Sequence, residues 1–146
     1  MEIRAEAKKM KLSAPVLAAS TMEQRNRALD CIAAALKEHE AEIFEANKKD
    51  MEYAESKQIA QSIQKRLKYD ENKLRDSISG VLELKELSDP IGKVLMNRQL
   101  DEGLVLKKIS VPIGVIGVIF EARPDAMIQV ASLCIKSGNC AILKGG

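Results

Sequence analysis

The stretch that decides the fold is residues 111–146, VPIGVIGVIFEARPDAMIQVASLCIKSGNCAILKGG. Its run from Val115 to Phe120 is apolar and mostly β-branched, which is typical of a strand buried on both faces in a parallel sheet. Arg123-Pro124-Asp125 ends that run, because proline suits the first turn of a helix. Apolar residues then recur at helical spacing until Ser137-Gly138-Asn139, and a second strand follows from Ala141. The stretch therefore predicts a βαβ unit.

The carboxyl ends of these two predicted strands are the candidate site, because ligands of open α/β sheets bind there. The ends carry Glu121-Ala122-Arg123 and Lys144-Gly145-Gly146. The dinucleotide fingerprint G-x-G-x-x-G is absent, since we expect Gly114 and Gly117 inside the strand and not at its carboxyl turn. The sequence thus predicts where a ligand binds without offering the usual glycine-rich cradle.

Capping signals predict a helix that begins near Thr21. Two overlapping capping boxes are present, one formed by Ser20 with Glu23 and the other by Thr21 with Gln24. An apolar helical face follows, made of Ala28, Leu29, Ile32, Ala33 and Leu36. We therefore expect the first 90 residues to be mainly helical.

Two further helical stretches follow in this region. The first covers residues 43–54 and is followed by a polar, weakly patterned connection at residues 56–62. Asp70 or Asn72 can cap a last helix. Gly80 lies inside that helix and weakens the expectation that it is continuous.

Residues 93–111 predict a β-hairpin. Two β-prone runs flank Asp101-Glu102-Gly103, where glycine can adopt the positive φ that a tight turn needs. An isolated hairpin is only marginally stable in water. We therefore expect this one to require a surface to pack on.

Composition narrows the function classes. The chain has 146 residues, 46% of them hydrophobic, and a net charge of +2 with both signs interspersed. This balance predicts no special affinity for nucleic acid or for a membrane. The amino terminus shows neither a signal peptide nor a membrane span, and the three cysteines form no C-x-x-C pair. These features predict a cytoplasmic protein with reduced thiols.

The single histidine and the three cysteines are not expected to take part in catalysis or metal binding. Cys134 falls on the apolar stripe of the predicted helix and Cys140 opens a buried strand, where a thiol acts as a small hydrophobe with a raised pKa. We interpret Cys31 in the same way. His39 lies among charged residues and has no second histidine near it, so we expect a solvated surface residue and no metal site.

Several segments resemble one enzyme family. They are PIGVIGVIFEARPDA and IKSGNCAILKGG in the βαβ stretch, ANKKDMEYA at 46–54, SDPIGKVL at 88–95 and LKKISVPIG at 106–114. Together they resemble the γ-glutamyl phosphate reductase family, also called glutamate-5-semialdehyde dehydrogenase, an outlying branch of the aldehyde dehydrogenase superfamily. The resemblance covers essentially the whole chain. Members of the family are much longer, so it implies an amino-terminal fragment.

The resemblance implies an α/β fold in three parts. Residues 1–92 would form the helical part of an NADPH-binding domain, and residues 93–111 a hairpin arm for oligomerisation. Residues 112–146 would form the first βαβ unit of a truncated Rossmann-like parallel sheet. The catalytic domain would be absent.

The implied reaction is the NADPH-dependent reduction of L-glutamyl 5-phosphate to L-glutamate 5-semialdehyde, with release of phosphate, in proline biosynthesis. In this superfamily a cysteine thiolate attacks the acyl carbon. None of the three cysteines here matches that motif, so the chain alone is expected to be inactive. The implied partners are a second copy of the chain, in a homo-oligomer, and glutamate 5-kinase. The alternative interpretation is a non-catalytic helical and hairpin module for assembly.

The resemblance also implies roles for five residues. Lys144 would serve the 2′-phosphate or the ribose hydroxyls of NADPH, with Gly145, Glu121 and Ala122 beside the cofactor. Ordinary aldehyde dehydrogenases have an asparagine near the position of Ala122, and alanine cannot donate to an oxyanion as that amide does. Arg123 would hold a carboxylate or phosphate of the substrate. Equally, Arg123 could pair with Glu121 or Asp125 and fix the turn.

Overall fold

The computed structural model describes residues 3–145, and helices occupy the first half of this range. The helices before the strands are α1 (Ile3–Ala18), α2 (Met22–Glu38), α3 (Glu40–Ser56), α4 (Gln61–Leu67) and α5 (Glu71–Glu86). The remaining elements are β1 (Val94–Asp101), β2 (Leu104–Ile109), β3 (Val115–Ile119), α6 (Pro124–Lys136) and β4 (Cys140–Lys144). The predicted α/β class is confirmed. Among the described residues, no helix has the length and apolar character needed to cross a membrane.

Local capping determines where α2 and α5 begin. The Thr21 hydroxyl accepts from the Gln24 amide at 3.2 Å, and the Gln24 side chain accepts from the Thr21 amide at 2.9 Å. The predicted box of Ser20 with Glu23 is wrong, because the Ser20 hydroxyl donates instead to the Leu17 carbonyl at 2.6 Å. Asp70 caps α5 by accepting from the Lys73 amide at 3.2 Å.

The sequence did not predict helix α4, whose first two residues fall in the expected polar connection at residues 56–62. Hydrogen bonds from a residue of α3 hold the end of α4 and the chain that follows it. The buried Asn47 side chain on α3 donates to the Leu67 carbonyl at 2.9 Å and accepts from the Tyr69 amide at 2.7 Å. In contrast, α5 continues through Gly80 without interruption.

The hydrophobic core lies where α2, α5 and α6 pack on one another. Leu29 is fully buried at its centre, with Ala33 and Val81 beside it. Burying a leucine side chain contributes about 1.5–3 kcal/mol. These long-range contacts make the three helices one packed layer.

A buried lysine also joins this layer. The Lys136 ammonium on α6 donates to the Asn26 side chain at 2.9 Å and to the Lys85 carbonyl at 3.1 Å. Removal from water disfavours the charged form and lowers the pKa of Lys136. Both acceptors are neutral, so hydrogen bonds hold this lysine in place without a direct ion pair.

The strands β1 and β2 form the predicted antiparallel hairpin. Arg98 lies opposite Leu106, and the chain reverses at Glu102 and Gly103. Every residue of both strands is exposed. The hairpin therefore buries neither of its faces in this chain.

The strands β3 and β4 form the predicted parallel pair, from Val115 opposite Cys140 to Ile119 opposite Lys144. The expectation that β3 is buried on both faces is wrong. Ile116 and Val118 are half-buried, whereas Gly117 is exposed and Ile119 is 86% exposed. Side chains alternate between the faces of a strand, and in this two-stranded sheet only one face of β3 is well covered near its end.

A tight turn connects α6 to β4. Gly138 has φ +70°, and a Cβ built there would lie 2.6 Å from Ile91 Cδ1 and 3.0 Å from Pro112 Cγ. The buried Asn139 side chain accepts from the Gly114 amide at 2.9 Å, and the Cys140 amide donates to the Gly114 carbonyl at 2.9 Å. These contacts align the beginnings of β3 and β4. Gly114 itself precedes β3 and does not lie inside it as expected.

Candidate functional site

The structure brings the two groups of predicted site residues to one edge of the sheet. Lys144 ends β4 directly opposite Ile119 of β3. The Phe120 amide then donates to the Lys144 carbonyl at 3.0 Å, which extends the pairing by one residue. The loop of residues 121–123 and Lys144-Gly145 therefore leave the sheet side by side.

Ala122 gives this loop an unusual backbone. Its φ is +49°, in the left-handed region that residues with a Cβ rarely adopt. Such a conformation costs about 1–2 kcal/mol, so the surrounding structure must hold it in place. The flanking Glu121 and Arg123 are both exposed. The strained residue thus turns the chain between two charged side chains that solvent can reach.

Lys144 and Gly145 form the second half of the edge. The Lys144 side chain is exposed, and its ammonium contacts the Gly145 carbonyl next to it. A Cβ at Gly145 would meet the Phe120 ring at 3.9 Å, an ordinary contact. Packing within the chain therefore does not require glycine at this position, and the absence of a side chain leaves its surface open. Gly146 lies outside the described residues.

Arg123 does not fix the turn through an ion pair. Within residues 3–145 it forms no salt bridge with Glu121 or Asp125, so that interpretation is wrong. Arg123 is instead the residue before the first turn of α6, and its side chain makes no capping hydrogen bond. Arg123 is exposed and lies at the amino end of that helix, where partial positive charge favours anions.

A cavity adjoins the same loop on its helical side. Its volume is about 340 Å³, and its lining includes Glu121, Ala122 and the α3 residues Asp50 and Tyr53. The sequence predicts no role for Asp50 or Tyr53. Both residues lie in the segment ANKKDMEYA, one of the segments that carry the family resemblance.

Relatives of known name match all or most of this chain. It is 46% identical over 146 residues to a γ-glutamyl phosphate reductase from Pelotomaculum thermopropionicum, covering 100% of this chain and 34% of that protein. It is 56% identical over 126 residues to the enzyme of the same name from Brachyspira hyodysenteriae, covering 84% of this chain and 29% of that protein. The chain belongs to the γ-glutamyl phosphate reductase family. No family model matches it.

Solved structures agree with this membership. The crystal structure of γ-glutamyl phosphate reductase from Saccharomyces cerevisiae matches with a TM-score of 0.96 at 40% identity, covering 100% of this chain and 37% of that one. The one from Thermotoga maritima matches with a TM-score of 0.95 at 34% identity, covering 100% and 35%. The chain thus spans about one third of the length of the γ-glutamyl phosphate reductases that it matches.

The cysteines and the histidine take no part in the candidate site. Cys134 and Cys140 are free and buried, and burial raises the pKa of the Cys134 thiol, as expected. Cys31 is exposed, so its interpretation as a core residue is wrong. His39 is exposed between α2 and α3, with its Nδ1 atom 3.3 Å from Glu42. In residues 3–145 no three His, Cys, Asp or Glu side chains are grouped to hold a metal.

Proposed function

We propose that this chain supplies the NADPH-binding edge of a γ-glutamyl phosphate reductase. The reaction is the reduction of L-glutamyl 5-phosphate to L-glutamate 5-semialdehyde, with release of phosphate, in proline biosynthesis. One observation carries the proposal: Lys144-Gly145 and the loop of residues 121–123 lie side by side at the carboxyl edge of the parallel strands. That edge is where open α/β sheets bind nucleotides. The family relationship supports the choice of reaction.

The residues at the edge fit a phosphorylated dinucleotide. Lys144 offers an exposed ammonium for the 2′-phosphate or the ribose hydroxyls, and Gly145 adds no side chain that would obstruct a ligand. Glu121 can accept hydrogen bonds from hydroxyl groups, and the backbone of Ala122 turns the loop beside it. When bound, NADPH supplies the hydride. The role of these residues is to bind and orient it.

We propose that Arg123 binds the acidic end of the substrate. A guanidinium contacts a carboxylate or phosphate through two parallel hydrogen bonds. Arg123 is exposed, makes no ion pair with its neighbours in the described structure, and lies at the amino end of α6. Because Ala122 has no side-chain donor, we propose that backbone N–H groups, or groups outside this chain, stabilise any oxyanion that forms near this loop.

We propose that the hairpin of β1 and β2 joins two copies of the protein. Its exposed apolar residues include Leu95, Leu104 and Leu106, and a hairpin that packs on nothing is only marginally stable. Glutamate 5-kinase is the proposed source of the acyl phosphate. The three free cysteines support a reducing, cytoplasmic location.

Titration calorimetry of the chain with NADPH and NADH tests the cofactor proposal. Lys144→Ala should weaken NADPH binding about tenfold or more, because a hydrogen bond to a charged group contributes about 1.5–3 kcal/mol. The loss should be larger for NADPH than for NADH if Lys144 contacts the 2′-phosphate. The control is Lys49→Ala, which removes an exposed lysine of α3 that forms an ion pair with Glu45 at 3.6 Å. Equal affinities in both variants and the original chain would refute the assignment of Lys144.

A further inference from the structure

A second cavity lies between α5 and α6 and shares no lining residue with the proposed cofactor edge. Its volume is about 260 Å³. The polar lining is Asp76, Ser77, Gln129 and Ser132, and the rest is Gly80, Val81, Leu84 and Leu133. Sites for drug-sized ligands measure about 300–1,000 Å³. This cavity is therefore suited to a smaller molecule.

Ser132 is the most unusual residue of the lining. It is 0% exposed, and its hydroxyl has no hydrogen-bond partner within the described part of the chain. Its neighbour Ser77 is also buried, but the Ser77 hydroxyl accepts from Tyr69 at 2.9 Å and donates to the Lys73 carbonyl at 2.8 Å. A buried hydroxyl without a partner destabilises a protein and calls for an explanation. A ligand in the cavity would supply the missing hydrogen bond.

Gly80 is the second unusual residue. It lies in the middle of α5, where glycine is less favourable than alanine. Its φ is not positive, and a Cβ built there would have nothing within 4 Å. Neither backbone conformation nor packing within the chain requires this glycine. The absence of a side chain at Gly80 keeps the wall of the cavity open.

We propose that this cavity binds a small aliphatic ammonium compound, of the size of an amino acid or a short amine. The exposed Asp76 carboxylate and Gln129 carbonyl accept hydrogen bonds from the ammonium group. Val81 and Leu84 contact the short carbon chain. The Ser132 hydroxyl bonds to a polar group at the inner end of the ligand.

Such an ammonium group occurs both at the glutamyl end of the proposed substrate and in free amines. Two probes distinguish these sources, L-glutamate and n-butylamine, with n-butanol as the uncharged comparison. Amide chemical shifts of the chain are followed in an NMR titration without NADPH, so the outcome does not depend on the proposed reductase activity. Binding of L-glutamate would favour the substrate end, and binding of n-butylamine alone would favour a separate amine.

Three variants test the named residues. Gly80→Leu, which fills the cavity at an exposed helical position, should abolish binding while the melting temperature stays the same or rises. Asp76→Asn should weaken binding about tenfold, since it removes a charge-assisted hydrogen bond. Ser132→Ala should weaken binding of L-glutamate, which has a polar group at each end, without lowering the melting temperature. Ser79→Ala is the matched control, because Ser79 is an exposed serine of the same helix and bonds to Glu83 at 2.9 Å.

Three results would overturn the proposal. The first is binding of neither amine, which would mean that solvent alone fills the cavity. The second is equal binding of n-butanol and n-butylamine, which would exclude recognition of the charge. The third is a lower melting temperature for Ser132→Ala with unchanged binding, which would make the hydroxyl structural.

Discussion

The hairpin and the helical layer contain similar apolar residues, but these residues are buried in the layer and exposed in the hairpin. In the layer of α2, α5 and α6, Leu29 is fully buried against Val81. In the hairpin, Leu95 is 59% exposed and Leu106 is 45% exposed. The layer is held by contacts between residues far apart in sequence, whereas the hairpin is held by pairing across a short turn. Apolar sequence alone therefore does not distinguish a core from a surface that still needs a partner.

The largest expected change in stability distinguishes the helical layer from the hairpin. Leu29→Ala should lower the free energy of unfolding by about 2–5 kcal/mol, because it leaves a cavity in the packed layer. Leu106→Ala in the hairpin should change it by less than about 0.5 kcal/mol, as exposed substitutions usually do. Urea denaturation measures both. Similar losses for the two variants would mean that the hairpin belongs to the same cooperative core.

Gly138→Ala should have the next largest effect, at the junction of the two regions. It should destabilise the protein by about 2–3 kcal/mol, from a strained positive φ together with overpacking. Gly92→Ala is the matched control, since Gly92 has φ +76° but nothing within 4 Å of its Cβ position. The difference between the two variants in urea denaturation isolates the close approach of Ile91 and Pro112. If both variants lost the same free energy of unfolding, the strain of the positive φ would account for the whole effect of Gly138→Ala.

A smaller effect concerns the start of α5. The backbone hydrogen bond from Lys73 lowers the pKa of Asp70 below its ordinary value of 3.8. A lowered pKa in the folded state means that the carboxylate stabilises the protein fully above pH 3.8 and less as pH falls below it. Asp70→Ala should therefore lower the melting temperature at neutral pH. The difference in melting temperature between the variant and the original chain should become smaller in acid. A difference that is independent of pH would contradict a role for the charge.

The smallest change in stability should come from the hairpin surface. The double variant Leu95→Lys with Leu106→Lys should change the free energy of unfolding of the monomer by less than about 0.5 kcal/mol. Sedimentation velocity should nevertheless show that association of the chain is lost, because two charges now occupy the proposed interface. The helix-surface variant Lys49→Ala serves as the control. Association that survives the double variant would place the interface elsewhere.

Local signals in the sequence were sufficient for much of the fold. The box of Thr21 with Gln24, the cap at Asp70 and the turn at Glu102 and Gly103 each depend on residues within a few positions of one another. The strand, helix and strand of the βαβ unit follow from periodicity in the same way. Short-range hydrogen bonds and side-chain spacing depend on residues that are close together in sequence. The sequence alone therefore predicts them, and these predictions are confirmed.

The features that the sequence did not predict depend on distant residues. The end of α4 depends on Asn47, about twenty residues before it, and the exposure of Ile119 depends on what covers the sheet. The sequence left two alternatives for Arg123, and only its surroundings in the fold exclude an ion pair with Glu121 or Asp125. The sequence placed the candidate edge by strand order, but the cavity that contains Asp50 and Tyr53 appears only when α3 packs beside the loop.

The hydrogen bond between Asn139 and Gly114 has a consequence at the opposite end of the sheet. It pins the first pair of β3 and β4, and the two strands have the same number of residues up to Ile119 and Lys144. A slip of one residue would shift the strands by about 3.3 Å and turn alternate side chains to the other face. A single carboxamide at the start of the sheet therefore helps to set the register that places Lys144 opposite Ile119, next to the loop of residues 121–123.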